Sequence, residues 1–188
     1  MRYAPNALTV LRLGLAAWFP LAPEGWRVWV VLAAGLTDLL DGWLARRFGL
    51  STWVGALLDA IADKLLTLVV LVSLGAWGEL AWWQVGVLMS RDVVVGLVAA
   101  YGAQQREWDT FKRVAARWSG KITTALIFAL MVAALGAPEA KVWILWPAMA
   151  ASAVAAADYA WVFAGWLEDR RRRAHPASHS QPANHRSR

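Results

Sequence analysis

The sequence predicts an all-α protein of six transmembrane helices with both termini on the cytoplasmic side, and three observations carry that reading. Hydrophobic residues make up 59% of the 188 positions, with mean hydropathy +0.42, against about 45–50% apolar residues in soluble domains. The excess is gathered in runs approaching the roughly 20 residues that a bilayer crossing needs. Lysine and arginine, finally, fall in alternate connections between those runs, as topology signals do.

The elements follow in order. The first span, 7–21, is apolar around Arg12 and stops at Pro20. No small-residue cleavage site precedes Pro20 and Pro23, so it reads as a retained helix and not a signal peptide. The second and third spans, 26–46 and 54–74, are separated by a break at 49–52 that contains Gly49. A turn at 75–78, with Gly75 and Gly78, precedes the fourth span, 81–101. The fifth, 120–135, ends at Gly136 and Pro138, and the sixth covers 142–166. Gly and Pro mark such breaks because they supply turn geometry and stop helices. The first and fifth spans are short, which favours tilting or partial exposure at an interface.

Arg46 and Arg47 lie in one connection, Arg106, Lys112, Arg113 and Arg117 in another, and Arg170 to Arg173 follow the last span. The intervening connections hold only Glu24 with Arg27, Glu79, and Glu139 with Lys141. Six spans with cytoplasmic termini place every basic segment on one side. Many of the fourteen tryptophans, among them Trp26, Trp53, Trp77, Trp82, Trp118, Trp143 and Trp166, fall near span ends, where amphipathic rings prefer to sit.

The balance of 19 Lys+Arg against 13 Asp+Glu does not indicate nucleic acid. Its basic residues sit in short segments between apolar runs, without a soluble basic face interleaved with aromatics, and read as topology and lipid-headgroup signals. With no cysteine, thiolate chemistry and disulfides are excluded. Residues 1–168 are expected to form the membrane domain, and 169–188, rich in Arg, His, Ser and Pro, a basic disordered cytoplasmic tail. His175 and His179 there are too few to hold a structural metal.

Ionisable groups inside a span are costly and mark function by default. Asp38, Asp41, Gly42 and Ala45 follow i, i+3, i+4, i+7 and share one helical stripe; Gly55, Asp59 and Asp63 follow i, i+4, i+8 on the next span. The short connection predicts antiparallel neighbours whose stripes face each other, gathering four carboxylates near the cytoplasmic surface. Four such charges repel unless something positive balances them. Hard divalent cations do so and also take phosphate oxygens, and two of them about 4 Å apart suit an in-line displacement at phosphorus. Gly42, Ala45 and Gly55 leave space for a substrate against backbone, and Arg46 offers a planar fork to phosphate.

The pattern Asp38-x2-Asp41-Gly42-x2-Ala45-Arg46-x8-Gly55-x3-Asp59-x3-Asp63 resembles the signature of the CDP-alcohol phosphatidyltransferase family at all eight fixed positions. Pro5-Asn6-Ala7-Leu8-Thr9-x2-Arg12, Ala62-Asp63-Lys64, Gly120-Lys121-x-Thr123-Thr124 and Asp158-Tyr159 are similar to the phosphatidylglycerophosphate synthase branch, and cardiolipin synthase relatives share parts of them. Ala60, where that branch often has proline, and Arg91-Asp92, where many glycerophosphate enzymes read Arg-Glu, are departures that bear on the acceptor.

The resemblance implies six transmembrane helices, often a homodimer, two divalent metal ions (Mg2+ or Mn2+), and transfer of a phosphatidyl group from CDP-diacylglycerol to an alcohol with release of CMP. It implies Asp38, Asp41, Asp59 and Asp63 as metal ligands, Asp63 also as general base, and Gly42, Ala45, Arg46 and Gly55 at the CDP site. The expected acceptor is a small phosphorylated alcohol, sn-glycerol 3-phosphate, which needs cations of its own; Arg91, Lys121, Arg113 and Arg117 are the candidates. Phosphatidylglycerol, as in cardiolipin synthase, and inositol phosphate remain alternative acceptors. The expected location is a bacterial cell membrane with the site facing the cytoplasm. An ion or proton transporter is the rival from another class, but transporters place carboxylates at mid-membrane on broken helices in repeated halves, and this chain shows no repeat. A catalytically inactive scaffold would usually lose at least one of the eight positions.

Overall fold

A computed structural model describes residues 4–48, 53–104 and 118–174, and throughout them the chain is helix or short turn, with no strand. The helices are α1 (Ala4–Trp18), α2 (Glu24–Phe48), α3 (Trp53–Ala76), α4 (Trp82–Gln104), α5 (Trp118–Gly136) and α6 (Pro138–Ala174), with a 3-10 turn Phe19–Leu21 after α1. The expected breaks are where the chain turns. Pro20 falls inside the 3-10 turn, and Ala22 is extended (ψ 138°), as the ring of the following Pro23 requires. Between α3 and α4 the chain reverses through Gly78 at φ +80°, a region that side chains with a Cβ rarely enter. Pro138 opens α6, where its missing N–H costs nothing. That helix continues to Ala174, past the boundary expected at 168; residues 175–188, including His175 and His179, lie outside the described residues.

α6 packs on α5 and α4, α1 packs on α3 and α2, and α2 packs on α5. The main core joins Phe19, Val31, Val70, Leu74, Leu88 and Leu130, all fully buried. A second cluster, Val98, Ala155 and Tyr159, ties the later halves of α4 and α6. The expectation that α2 and α3 face each other directly needs correction over the described residues: α3's main partner is α1. Two bare carboxylate stripes in contact would repel, and α1 brings an arginine to them.

The bundle has two distinct ends. At one, the Phe19 and Trp77 rings meet at 5.6 Å, the Arg27 guanidinium lies 3.6 Å from the Trp77 ring centre, and Lys141 pairs with Glu79 at 2.6 Å. Trp26, Trp29, Trp82, Trp83, Trp143 and Trp146 are exposed in the opening turns of α2, α4 and α6 at this end. The aspartates lie toward the other. Among the described residues one helical stretch, Pro138–Glu168, is by itself long and apolar enough to cross a membrane, and Thr9–Leu21 and Gly120–Gly136 are shorter apolar helices.

The α2–α5 contact depends on Gly35. A Cβ there would stand 2.5 Å from Phe128 Cζ, whereas one at Gly86 would meet nothing within 4 Å. Overpacking of this kind costs about 1–3 kcal/mol. Gly35→Ala is therefore expected to lower the melting temperature of the detergent-solubilised protein by several degrees, and Gly86→Ala to leave it unchanged or slightly raised; equal melting of the two variants would show that the ring yields freely.

Candidate active site

Helical periodicity sets Asp59 and Asp63 one turn apart on α3, and Asp38 lies in the second half of α2. Arg12 of α1 joins the two helices. It is fully buried and donates from Nη1 to Asp59 Oδ1 at 2.6 Å, while Nη2 lies 3.2 Å from Asp38 Oδ1. A guanidinium out of water is tolerated when its charge is paired and hydrogen-bonded, and its planar fork suits two carboxylates at once. Asp59 and Asp38 are themselves part-exposed, at 35% and 48% of their side chains, so the arginine covers the inner side of a centre that stays open on its other side.

Asp38 and Asp63 line a cavity of about 890 Å³ between α2, α3, α4 and α5. Arg91 and Lys121 line the same cavity, and Leu32, Leu36, Leu39 and Phe128 give it an apolar wall. Arg91 is positioned from several sides. Its Nη1 donates to Thr124 Oγ1 at 3.0 Å and approaches Asp92 Oδ1 at 3.4 Å, and its Cζ lies 5.9 Å from the Tyr159 ring centre. Lys64, next to Asp63 in the chain, pairs instead with Asp92 on α4, so that carboxylate holds a cation from each of two helices. Gly120 permits this assembly: a Cβ there would be 2.7 Å from Arg91 Nη2 and 2.8 Å from the Tyr159 hydroxyl.

The structure thus brings Asp38, Asp63, Arg91 and Lys121 to one cavity and connects Asp59 to Asp38 through Arg12. Asp41, Gly42, Ala45 and Arg46 continue α2 and Gly55 lies in the first turn of α3, but their side chains are outside the described residues, as are Arg113 and Arg117 altogether. Sequence reasoning placed Arg12 only within the first apolar span and its amino-terminal motif, and did not find Asp92 as the partner of Lys64. The available signal was physical: an arginine within an apolar run needs a buried counter-charge.

The donor chemistry fits a hard divalent cation, since carboxylate oxygens from two helices already converge on one positive group. Among the described residues no group of three or more Asp, Glu, His or Cys side chains stands close enough to hold a metal; the side chain of Asp41, the remaining member of the set, is not among them.

Acidic centre, basic wall and apolar wall share one cavity of a helical protein, a set of groups suited to an amphiphilic molecule that carries phosphate. The family model of CDP-alcohol phosphatidyltransferase matches residues 2–154, and the chain belongs to that family. It is 33% identical over 177 residues to a cardiolipin synthase (CMP-forming) of Streptomyces coelicolor, covering 86% of this chain and 74% of the relative. It is 33% identical over 149 residues to a CDP-diacylglycerol–glycerol-3-phosphate 3-phosphatidyltransferase of Pectobacterium atrosepticum, covering 72% and 78%. A protein of the same name from Pseudomonas fluorescens is 34% identical over 150 residues, covering 75% and 76%. The protein is an enzyme of phospholipid synthesis, a CDP-alcohol phosphatidyltransferase.

Proposed function

We propose that the enzyme transfers the phosphatidyl group of CDP-diacylglycerol to sn-glycerol 3-phosphate, giving phosphatidylglycerol phosphate and CMP. The observation that carries this reading is the cavity shared by two aspartates, Asp38 and Asp63, and two cations, Arg91 and Lys121. An acceptor bearing a phosphate monoester would be repelled by the aspartates unless cations held it, and charge-assisted bonds from an arginine and a lysine are suited to that. Its free hydroxyl then faces the carboxylate side, where the oxygen attacks the phosphatidyl phosphorus. The new P–O bond replaces the bond to CMP, which leaves with the bridging oxygen, and the hydroxyl proton passes to Asp63. Asp38, Asp41, Asp59 and Asp63 would hold two divalent ions, Mg2+ or Mn2+, whose charge would neutralise that of the phosphates. Gly42, Ala45, Arg46 and Gly55 form the CDP site, and Arg113 and Arg117 add to the cationic approach for the acceptor.

The same reading places six helices across a bacterial membrane, both termini and the aspartate end cytoplasmic and the tryptophan end opposite. Its support is an exterior on which Val10, Leu97, Ile122, Val154 and Trp161 are each more than half exposed, a surface suited to lipid, together with the six exposed tryptophans in the opening turns of α2, α4 and α6. A second reading takes phosphatidylglycerol as acceptor. It is favoured by the name of the Streptomyces coelicolor relative and by the share of Arg91 already committed to Asp92 and Thr124.

Purified protein with Mg2+ or Mn2+, CDP-diacylglycerol and separate acceptors is expected to release CMP with glycerol 3-phosphate. One charge-assisted contact is worth about 1.5–3 kcal/mol, so Arg91→Ala or Lys121→Ala should raise KM for glycerol 3-phosphate about 10- to 100-fold, while KM for CDP-diacylglycerol moves less than about threefold. CMP release with phosphatidylglycerol or inositol phosphate and none with glycerol 3-phosphate would replace the acceptor and leave the family chemistry in place.

A further inference from the structure

Arg12 belongs neither to the eight-residue signature nor to the cationic wall of the cavity, yet it touches two of the four aspartates. Its two terminal nitrogens engage one oxygen each of Asp38 and Asp59, carboxylates on different helices, and its side chain is fully buried. We infer that Arg12 is the internal counter-ion of the carboxylate centre, holding Asp38 and Asp59 together until a divalent cation arrives and competing with that cation for the same oxygens. The inference rests on the metal-dependent reading above and assigns a positioning role to a residue on α1.

Two opposed effects follow from this geometry. The fork keeps two carboxylates from separate helices at one spacing, which favours metal binding by sparing the entropy of ordering two short side chains, about tenfold in affinity. The guanidinium also repels a divalent ion across a few ångströms, worth roughly a hundredfold or more at the effective dielectric of a protein site. Repulsion is the larger effect, so the arginine tunes the centre toward weaker, exchangeable metal binding. Such a residue keeps the metal-free protein folded around a pocket of like charges.

The test is direct Mn2+ binding, read from the loss of the free aqueous Mn2+ paramagnetic resonance signal as detergent-solubilised protein is added. Arg12→Gln is expected to bind Mn2+ about tenfold more tightly than wild type, to melt at a lower temperature without metal, and to gain more in melting temperature from Mn2+ than wild type does. In Arg12→Lys the charge and its repulsion stay, but one ammonium cannot space both carboxylates, so binding should weaken, by up to about tenfold. A merely structural arginine would lower the melting temperature without improving metal affinity. Unchanged or weaker Mn2+ binding by a folded Arg12→Gln overturns the inference, and if that variant does not fold, unchanged or tighter binding by Arg12→Lys does so. Wild-type protein that binds no Mn2+ would overturn both the inference and the metal-dependent reading, whereas wild type that binds it with variants that match it overturns the inference alone.

Discussion

Asp59→Asn is expected to reduce CMP release at saturating Mg2+ by about a thousandfold while the protein stays folded. The substitution keeps the volume of the side chain and an oxygen able to accept from Arg12 Nη1, now 2.6 Å from Asp59 Oδ1, but removes the negative charge that a metal ligand needs. A thousandfold loss corresponds to about 4 kcal/mol of transition-state stabilisation, within the several kcal/mol that a metal clamp on a displacement at phosphorus supplies. Stability should suffer much less. Breaking a buried ion pair by removing one partner costs about 3–5 kcal/mol, but Asp59 is about one-third exposed and the amide oxygen still accepts, so a loss nearer 1 kcal/mol is expected. Asp38→Asn should act in the same direction with a smaller stability change, since its contact with Arg12 is longer, at 3.2 Å, and its side chain half exposed. CMP release and thermal melting on the same preparation separate the two quantities. A folded Asp59→Asn enzyme within threefold of wild-type turnover would show that Asp59 ligates no catalytic metal.

Much of this molecule was legible because its signals are local. Pro20, the Gly75 to Gly78 segment and Gly136 with Pro138 interrupt apolar runs, and the helices end or turn at each of them. The spacing of Asp59 and Asp63 placed both on one helix, and Arg91 and Lys121, proposed on charge alone, line the cavity that Asp38 and Asp63 enter. What was not legible depends on which helices touch. Periodicity names the face a helix buries but not its partner, so α1 could not be seen as α3's main neighbour, nor Arg12 as the link from Asp38 to Asp59. Lys64 and Asp92 are 28 residues apart, and their ion pair is one that only packing of α3 on α4 could reveal. The last helix is longer than its apolar run because hydropathy marks where a bilayer would end, while backbone hydrogen bonding continues through Glu168 and on to Ala174.

Asp63→Asn should separate the general base from the remaining aspartates. Asp63 lines the cavity with Arg91 and Lys121, on the side an acceptor held by those cations would present its hydroxyl. An alcohol is a weak nucleophile, and a positioned base contributes about 10²- to 10⁴-fold by taking its proton in the transition state. The neighbouring ammonium of Lys64 is paired with Asp92 on α4 and not with Asp63. Turnover of Asp63→Asn is expected to fall at least about a hundredfold, with the KM for CDP-diacylglycerol changed less than about threefold. A base acts only when deprotonated, so wild-type kcat should decline on the acid side of its pH profile, and that decline should vanish from the residual activity of the variant. A ligand without a base role predicts another pattern: loss of CDP-diacylglycerol binding in step with turnover, recovery at high Mg2+ or Mn2+, and an acid limb that persists. Substrate titrations at several metal concentrations and pH values distinguish the two, and the second pattern would reduce Asp63 to a metal ligand.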